Sequence, residues 1–247
     1  MNKLIILGVL TLLCWNVIAS DIAQLEEKLN TTNDSLRVSI LNELCLKYQI
    51  RDPVKALTYG FEGIEIAKSL DNRLLEAHLH NSIGKTYIYQ SNYPKASEHH
   101  LTALRIFQKD NELMGEAMTI FDMAYMYKVF ADEYDTAISY YKKAFETFKE
   151  LKDSTMIVNS LNALGIVYTE AKEYEIGEKY LLQMLETAKN YAFQNFESTS
   201  MKQLGWHFYN KRNYEKSQEW YEKAGEYELN RDNEEGYASV LVNISYI

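Results

Sequence analysis

The stretch SLNALGIVYTEAKEYEIGEKYLLQM, residues 160–184, decides the fold. Leu161, Leu164 and Tyr168 recur at the three- and four-residue spacing of one helix face, with Gly165 set among them. After a short polar turn, Tyr174, Gly177, Leu181 and Met184 repeat that spacing. A glycine inside a helix costs about 1 kcal/mol relative to alanine, so one held there has a packing reason. Two helices approach to about 8–10 Å only where the side chains at their crossing are small. Gly165 therefore predicts the crossing point of a helix pair.

Reading outward from Gly165, the same frame places a small residue at Cys45, Gly84, Ala124, Gly165, Gly205 and Ser245, spaced 39, 40, 41, 40 and 40 residues apart. Large residues flank each one, as in Leu41, Leu44 and Tyr48, or Leu204 and Phe208. Asp71-Asn72, Asp110-Asn111, Asp153-Ser154 and Asp232-Asn233 punctuate the units. Asp52 followed by Pro53 predicts a helix start, because proline is preorganised for the first helical position and its missing N–H costs nothing there. Five complete repeats are expected at about 37–72, 73–112, 113–154, 155–192 and 193–233, with a sixth beginning at 234–247. Residues 20–35 read as a lead-in helix through Ile22, Leu25 and Leu29, followed by a polar break in which Asn33 or Asp34 caps the next helix.

Such a repeat overrides the usual inference from a length of 247 residues to one or two globular cores. The net charge of −9, spread along the chain, opposes non-specific binding to nucleic acid or anionic lipid. Met1–Lys3, the apolar run from Leu4 to Trp15 and the small-residue site at Val17-Ile18-Ala19 form a leader, residues 1–19, cleaved after Ala19. An uncleaved anchor and a lipoprotein signal through Cys14 are the alternatives. A cleavable leader implies a periplasmic or secreted protein. Cys45 is then the one cysteine of the mature chain, at a packing position. The chain contains no Gly-rich phosphate loop, no HExxH and no paired CxxC. His80 and His100 fall among core positions, and no third metal ligand is evident beside them. No enzyme, cofactor or metal site is expected in this chain.

With these residues in place, the chain resembles the tetratricopeptide repeat family. The likeness rests on Leu161, Leu164, Gly165 and Tyr168 in the fourth unit, and on Ile83, Gly84, Tyr87, Ala96 and Ala103 in the second. It covers Leu36 to Ile247. The resemblance implies an all-α fold, a right-handed superhelical solenoid of antiparallel helix pairs. The period departs from the family's usual 34 or so residues, and the proline common near the repeat end is missing. Longer units are similar to those of bacterial sensor proteins and kinesin light chains. The lead-in to Asp52-Pro53-Val54-Lys55-Ala56 resembles the extracytoplasmic ends of bacterial sensor histidine kinases.

The resemblance also implies that the first helix of each pair lines a concave groove. Its groove positions lie three residues before, one after and four after each small residue. Carried onto this chain they give Asn42 and Gln49, then Asn81 and Lys85, then Phe121, Tyr125 and Lys128, then Asn162, and finally Lys202, Trp206 and Tyr209. A row of asparagine amides suits the backbone of an extended peptide. The aromatic residues suit its side chains, and the lysines a carboxylate. The same asparagines could instead bridge neighbouring helices. The expected partner is a protein or peptide segment. Because the sixth unit breaks off at Ile247, the chain is expected to be the N-terminal sensory part of a longer signal-transduction protein. The missing part would hold a membrane span and an output domain, which could be catalytic. A free-standing secreted or periplasmic scaffold is the alternative.

Overall fold

The computed structural model describes residues 21–29, 32–131 and 133–247, and among these it contains helices and turns with no strand. The leader read at residues 1–19, Cys14 with it, lies outside the described residues. The chain divides into two compact units, Met1–Ala131 and Asp132–Ile247. The first holds α1 (residues 21–29), α2 (Asp34–Tyr48), α3 (Pro53–Ser69), α4 (Arg73–Tyr89), α5 (Tyr93–Asp110) and α6 (Leu113–Ala131). The second holds α7 (Tyr134–Glu150), α8 (Ser154–Glu170), α9 (Tyr174–Asn190), α10 (Gln194–Asn210), α11 (Tyr214–Leu229) and α12 (Glu234–Ile244).

Consecutive helices pack on one another within each unit, and alternate helices also touch: α2 with α4, α4 with α6, and α8 with α10. That neighbourhood follows from the small positions. A Cβ built on Gly165 would stand 2.5 Å from Leu181 Cδ2 of α9. One built on Gly177 would meet α8 itself, 3.1 Å from the Gly165 carbonyl oxygen and 3.2 Å from the Thr169 nitrogen. Gly165 and Gly177 thus form the two sides of one crossing, and Leu161, Leu164, Leu181 and Met184 fill its flanks with no exposed surface. Cys45 is buried at the equivalent crossing in α2, where burial pushes its thiol up to about 11.

The turns repeat as closely as the crossings. Eight connections place a non-glycine residue in the left-handed region: Asp71, Ser91, Asn111, Lys152, Lys172, Ala192, Arg212 and Asp232. The residue after each donates its N–H five residues back, as Asn72 does to Ala67 (2.9 Å) and Glu173 to Tyr168 (2.9 Å). This is the Schellman closure of a helix end. In most turns that same residue also caps the next helix. Asn72 Oδ1 accepts from the Leu75 N–H (3.1 Å), Asp153 Oδ1 from Met156 (2.8 Å) and Asn213 Oδ1 from Lys216 (3.1 Å). One residue closes a helix and opens another, so a connection needs only two to four residues.

Ahead of the array, Asn33 caps α2 and Asp52 caps α3, with Pro53 opening the helix. Ile22 and Leu29 of α1 are buried against Ile40, Leu41 and Leu44. A polar clamp secures them: Glu26 Oε1 accepts from Lys55 Nζ (2.5 Å), Tyr59 OH (2.8 Å) and Tyr48 OH (2.9 Å). The Lys55 ammonium holds the Glu26 carboxyl below its ordinary value.

Candidate protein-binding groove

In the first unit the face formed by α2, α4 and α6 is the candidate site. Its polar floor is a ladder between repeats. Ser82 Oγ of α4 donates to Asn42 Oδ1 of α2 (2.6 Å), and Asn81 Nδ2 of α4 donates to Asp122 Oδ2 of α6 (2.8 Å). A residue three before the small position thus bonds one two before it in the next repeat. Asn81 is only 7% exposed, and its second polar atom is taken as well, with Oδ1 lying 2.8 Å from His100 Nδ1. An amide oxygen can only accept, so His100 carries its proton on Nδ1 and leaves Nε2 bare, buried and without a partner. Burial pulls the His100 pKa down to about 4. Lys85 Nζ completes the chain at 3.5 Å from Asp122 Oδ1.

Asn42 and Asn81 therefore bridge helices, the second of the two roles open to them. Asn162, in the second unit, has its Oδ1 buried without a hydrogen-bond partner. By the same spacing its counterpart on α10 is Gln203. Phe121, at the same position in α6, offers no amide.

Where the ladder gives way to aromatic residues, a cavity of about 200 Å³ opens between α4 and α6. Lys85, Ile88 and Tyr89 line it from α4, and Phe121, Asp122 and Tyr125 from α6. Lys128 Nζ lies over the Tyr125 ring, 5.6 Å from its centroid. The structure thus gathers Lys85, Phe121, Tyr125 and Lys128 at one place. Ile88, four residues after Gly84, holds a groove position that the sequence reading left unnamed, whereas Tyr89 and Asp122 fall outside those positions. Tyr89 could have been found from its place four residues after Lys85, one helical turn along the same face.

In the second unit the expected residues separate. Lys202 lines a hollow of about 300 Å³ with Asn195, Thr199, Glu228, Asn233 and Glu235. Glu228, 3% exposed, serves the structure there: it accepts from Ser198 Oγ and from Asn233 Nδ2 (2.8 Å), tying three helices. Trp206 is half-buried against the cluster of Leu204, Tyr221 and Val240. Tyr209 is exposed and meets Tyr214 edge-on at 5.7 Å. The histidines found no role in the sequence beyond burial. In the structure His80 Nδ1 lies 2.9 Å from His99 Nδ1, and His207 Nδ1 lies 2.7 Å from Thr169 Oγ1. Among the described residues no group of three His, Cys, Asp or Glu side chains is placed to hold a metal ion, and no helix is long and apolar enough to cross a membrane.

No protein-family model matches the chain, and no curated protein does. Solved structures do match. The Rap protein complexed with Competence and Sporulation Factor superposes with a TM-score of 0.69 at 14% identity, covering 95% of this chain and 71% of that one. A kinesin light chain protein of nearly identical TPR-like repeats from Podosopora anserina gives 0.65 at 12%, covering 81% and 99%. The signal-transduction ATPase of Pyrococcus horikoshii with a tetratricopeptide repeat sensor gives 0.65 at 19%, covering 84% of this chain and 34% of that one. The fold is that of the tetratricopeptide-like helical repeat proteins.

Proposed function

We propose that the chain is a binding module that holds a segment of a protein or peptide on the α2–α4–α6 face, with the cavity between α4 and α6 receiving an apolar side chain. The cavity carries this reading. At about 200 Å³ it falls below the roughly 300–1,000 Å³ of small-molecule sites, and is close to the engineered apolar cavity of about 150 Å³ that holds benzene. It fits one large side chain rather than a cofactor. Three rings and an aliphatic side chain form its walls, and such rigid apolar surface dominates interface energetics. The reading contains no catalytic step.

In this proposal the module is the extracytoplasmic, sensory part of a signal-transduction protein, delivered across the membrane by the leader at residues 1–19. Two likenesses support it: one neighbour is a repeat sensor within a larger ATPase, and another is complexed with a factor. The sensor assignment is tested by the coding sequence that follows codon 247. A membrane span and an output domain are expected there, and a stop codon would replace the sensor with a free-standing scaffold. The site itself is tested by placing p-benzoylphenylalanine at Tyr89 or at the outward-facing Ile176 of α9, in the native host. Crosslinks to a partner at Tyr89, lost on Phe121→Ala and absent at Ile176, are expected. Equal crosslinking at both positions would sink the groove.

A further inference from the structure

One helix crossing holds a polar ring. Sixteen residues after the small residue of its repeat, the second helix sets Leu181 against Gly165 and Tyr221 against Gly205, and at the same position in the first unit it sets His100 against Gly84. A Cβ on Gly84 would stand 2.7, 2.8 and 2.9 Å from Cε1, Nδ1 and Nε2 of the imidazole, so this glycine makes room for the ring. His100 has no exposed surface, and its Nε2 has no hydrogen-bond partner. A half-satisfied polar ring destabilises a core that an apolar side chain would fill, and its presence there calls for a reason. The reason lies in the other nitrogen. Nδ1 donates to Asn81 Oδ1 (2.8 Å), and Asn81 Nδ2 donates to Asp122 Oδ2 (2.8 Å). Lys85 Nζ, one turn beyond Asn81 on α4, stands 3.5 Å from Asp122 Oδ1. This relay starts in the core and ends on the wall of the α4–α6 cavity.

We infer that His100 is a positioning residue of this cavity: acting through Asn81, it keeps Asp122 paired against α4, and so sets the cavity to take an uncharged apolar side chain and to refuse a cationic one. The inference rests on the binding role proposed above and specifies its ligand. Of the six residues that line the cavity, Lys85 and Asp122 are charged, and Tyr89, Phe121 and Tyr125 supply three rings. Rings beside a carboxylate are the components of a cation site, because a ring face attracts an ammonium or guanidinium group. Here the carboxylate is already engaged. One oxygen accepts from the Asn81 amide and the other faces Lys85, so an entering Lys or Arg side chain meets a neutralised acid and a like charge. The direction of the amide matters, since an ionised carboxylate only accepts and an amide carries its donors on one side. The N–H of His100 holds the Asn81 oxygen inward and thereby points its nitrogen at Asp122. Discrimination of this kind comes from what a site excludes as well as from what it contacts.

The test is a phage-displayed random peptide library panned against the purified protein, with selected peptides measured by fluorescence anisotropy. Selected peptides are expected to lose binding on Phe121→Ala, and exchange of their anchoring apolar residue for Lys or Arg is expected to weaken them about tenfold or more. In His100→Leu, which fills the crossing as Leu181 does beside Gly165, that discrimination is expected to disappear. His100→Asn, whose amide can still donate to Asn81, should restore it. Asn81→Ala breaks the relay outside the crossing and should match His100→Leu. In the unaltered protein without peptide, nitrogen chemical shifts of His100 should show a protonated Nδ1 and a bare Nε2. The opposite tautomer, or discrimination that survives both His100→Leu and Asn81→Ala, would overturn the positioning role while leaving the groove standing. Phe121-dependent peptides that anchor through Lys or Arg in the unaltered protein would overturn the ligand class. A library that yields no Phe121-dependent peptide would overturn the groove and this inference together.

Discussion

Gly177 shows how much one absent side chain settles. In a free helix, replacing it by alanine would gain about 1 kcal/mol of helix propensity. Here the new methyl group would stand 3.1 and 3.2 Å from backbone atoms of α8 and 2.8 Å from Thr169 Oγ1. Backbone cannot rotate out of the way, so the two helices must part. At Gly165 the added carbon meets Leu181 side-chain atoms first, although Leu181 is fully buried and has little room to turn. Overpacking of this kind costs about 1–3 kcal/mol. Gly177→Ala is therefore expected to lower the unfolding free energy by about 1–2 kcal/mol, and Gly165→Ala by less, as read from urea midpoints at constant slope. An increase in stability for Gly177→Ala would mean that α8 and α9 do not cross there.

At the scale of elements the turns carry the most specific forecast. Lys172 (φ 62°) and Ala192 (φ 55°) sit in the left-handed region with a Cβ, a conformation costing roughly 1–2 kcal/mol for L-residues and little for glycine. Lys172→Gly and Ala192→Gly should each stabilise the second unit by up to about 1 kcal/mol, visible as a higher thermal midpoint with unchanged circular dichroism. These turns also mark how far the sequence can be read. Helix faces were legible because burial repeats at i, i+3, i+4 and i+7, and the helix starts at Pro53, Tyr93 and Arg73 follow from Asp and Asn caps. Of the left-handed residues, Asp71, Asn111 and Asp232 fall in the polar pairs that punctuate the units and are of types that tolerate the region, whereas Lys152, Lys172, Ala192 and Arg212 advertise no such preference; they are forced into it by the N–H that must reach back five residues. The groove was legible in part. Aromatic Phe121 and Tyr125 stood out on the first-helix face, whereas the fate of Asn81 turned on Asp122, 41 residues away. Periodicity names the face of a helix and not the polar partner waiting on the next one.

For the whole molecule, titration separates the two units. Four of the five histidines, His78, His80, His99 and His100, belong to the first unit, and His207 alone to the second. Burial lowers the pKa of all five, to about 4 for His80, His100 and His207. The geometry agrees. The His80–His99 contact of 2.9 Å holds one shared proton between two rings, and His100 Nε2 faces no acceptor. Unfolded histidines take up protons near pH 6.5, so between about pH 6.5 and 4 the unfolded chain binds more protons than the folded one. The stability these neutral rings contribute is fully present above that window and is lost as the pH falls through it, at up to about 1.4 kcal/mol per pH unit for each. Acidification from pH 7.5 to 5 should therefore cost the first unit more than the second. In hydrogen exchange, peptides from α4 and α5 should lose protection before those from α10. His80→Leu removes one proton site and the pairing with His99, so it should flatten the pH dependence of the first unit even if its stability at pH 7.5 changes. An unaltered slope in that variant, or earlier loss of protection in α10, would show that acid acts through the carboxylates and not through this histidine cluster.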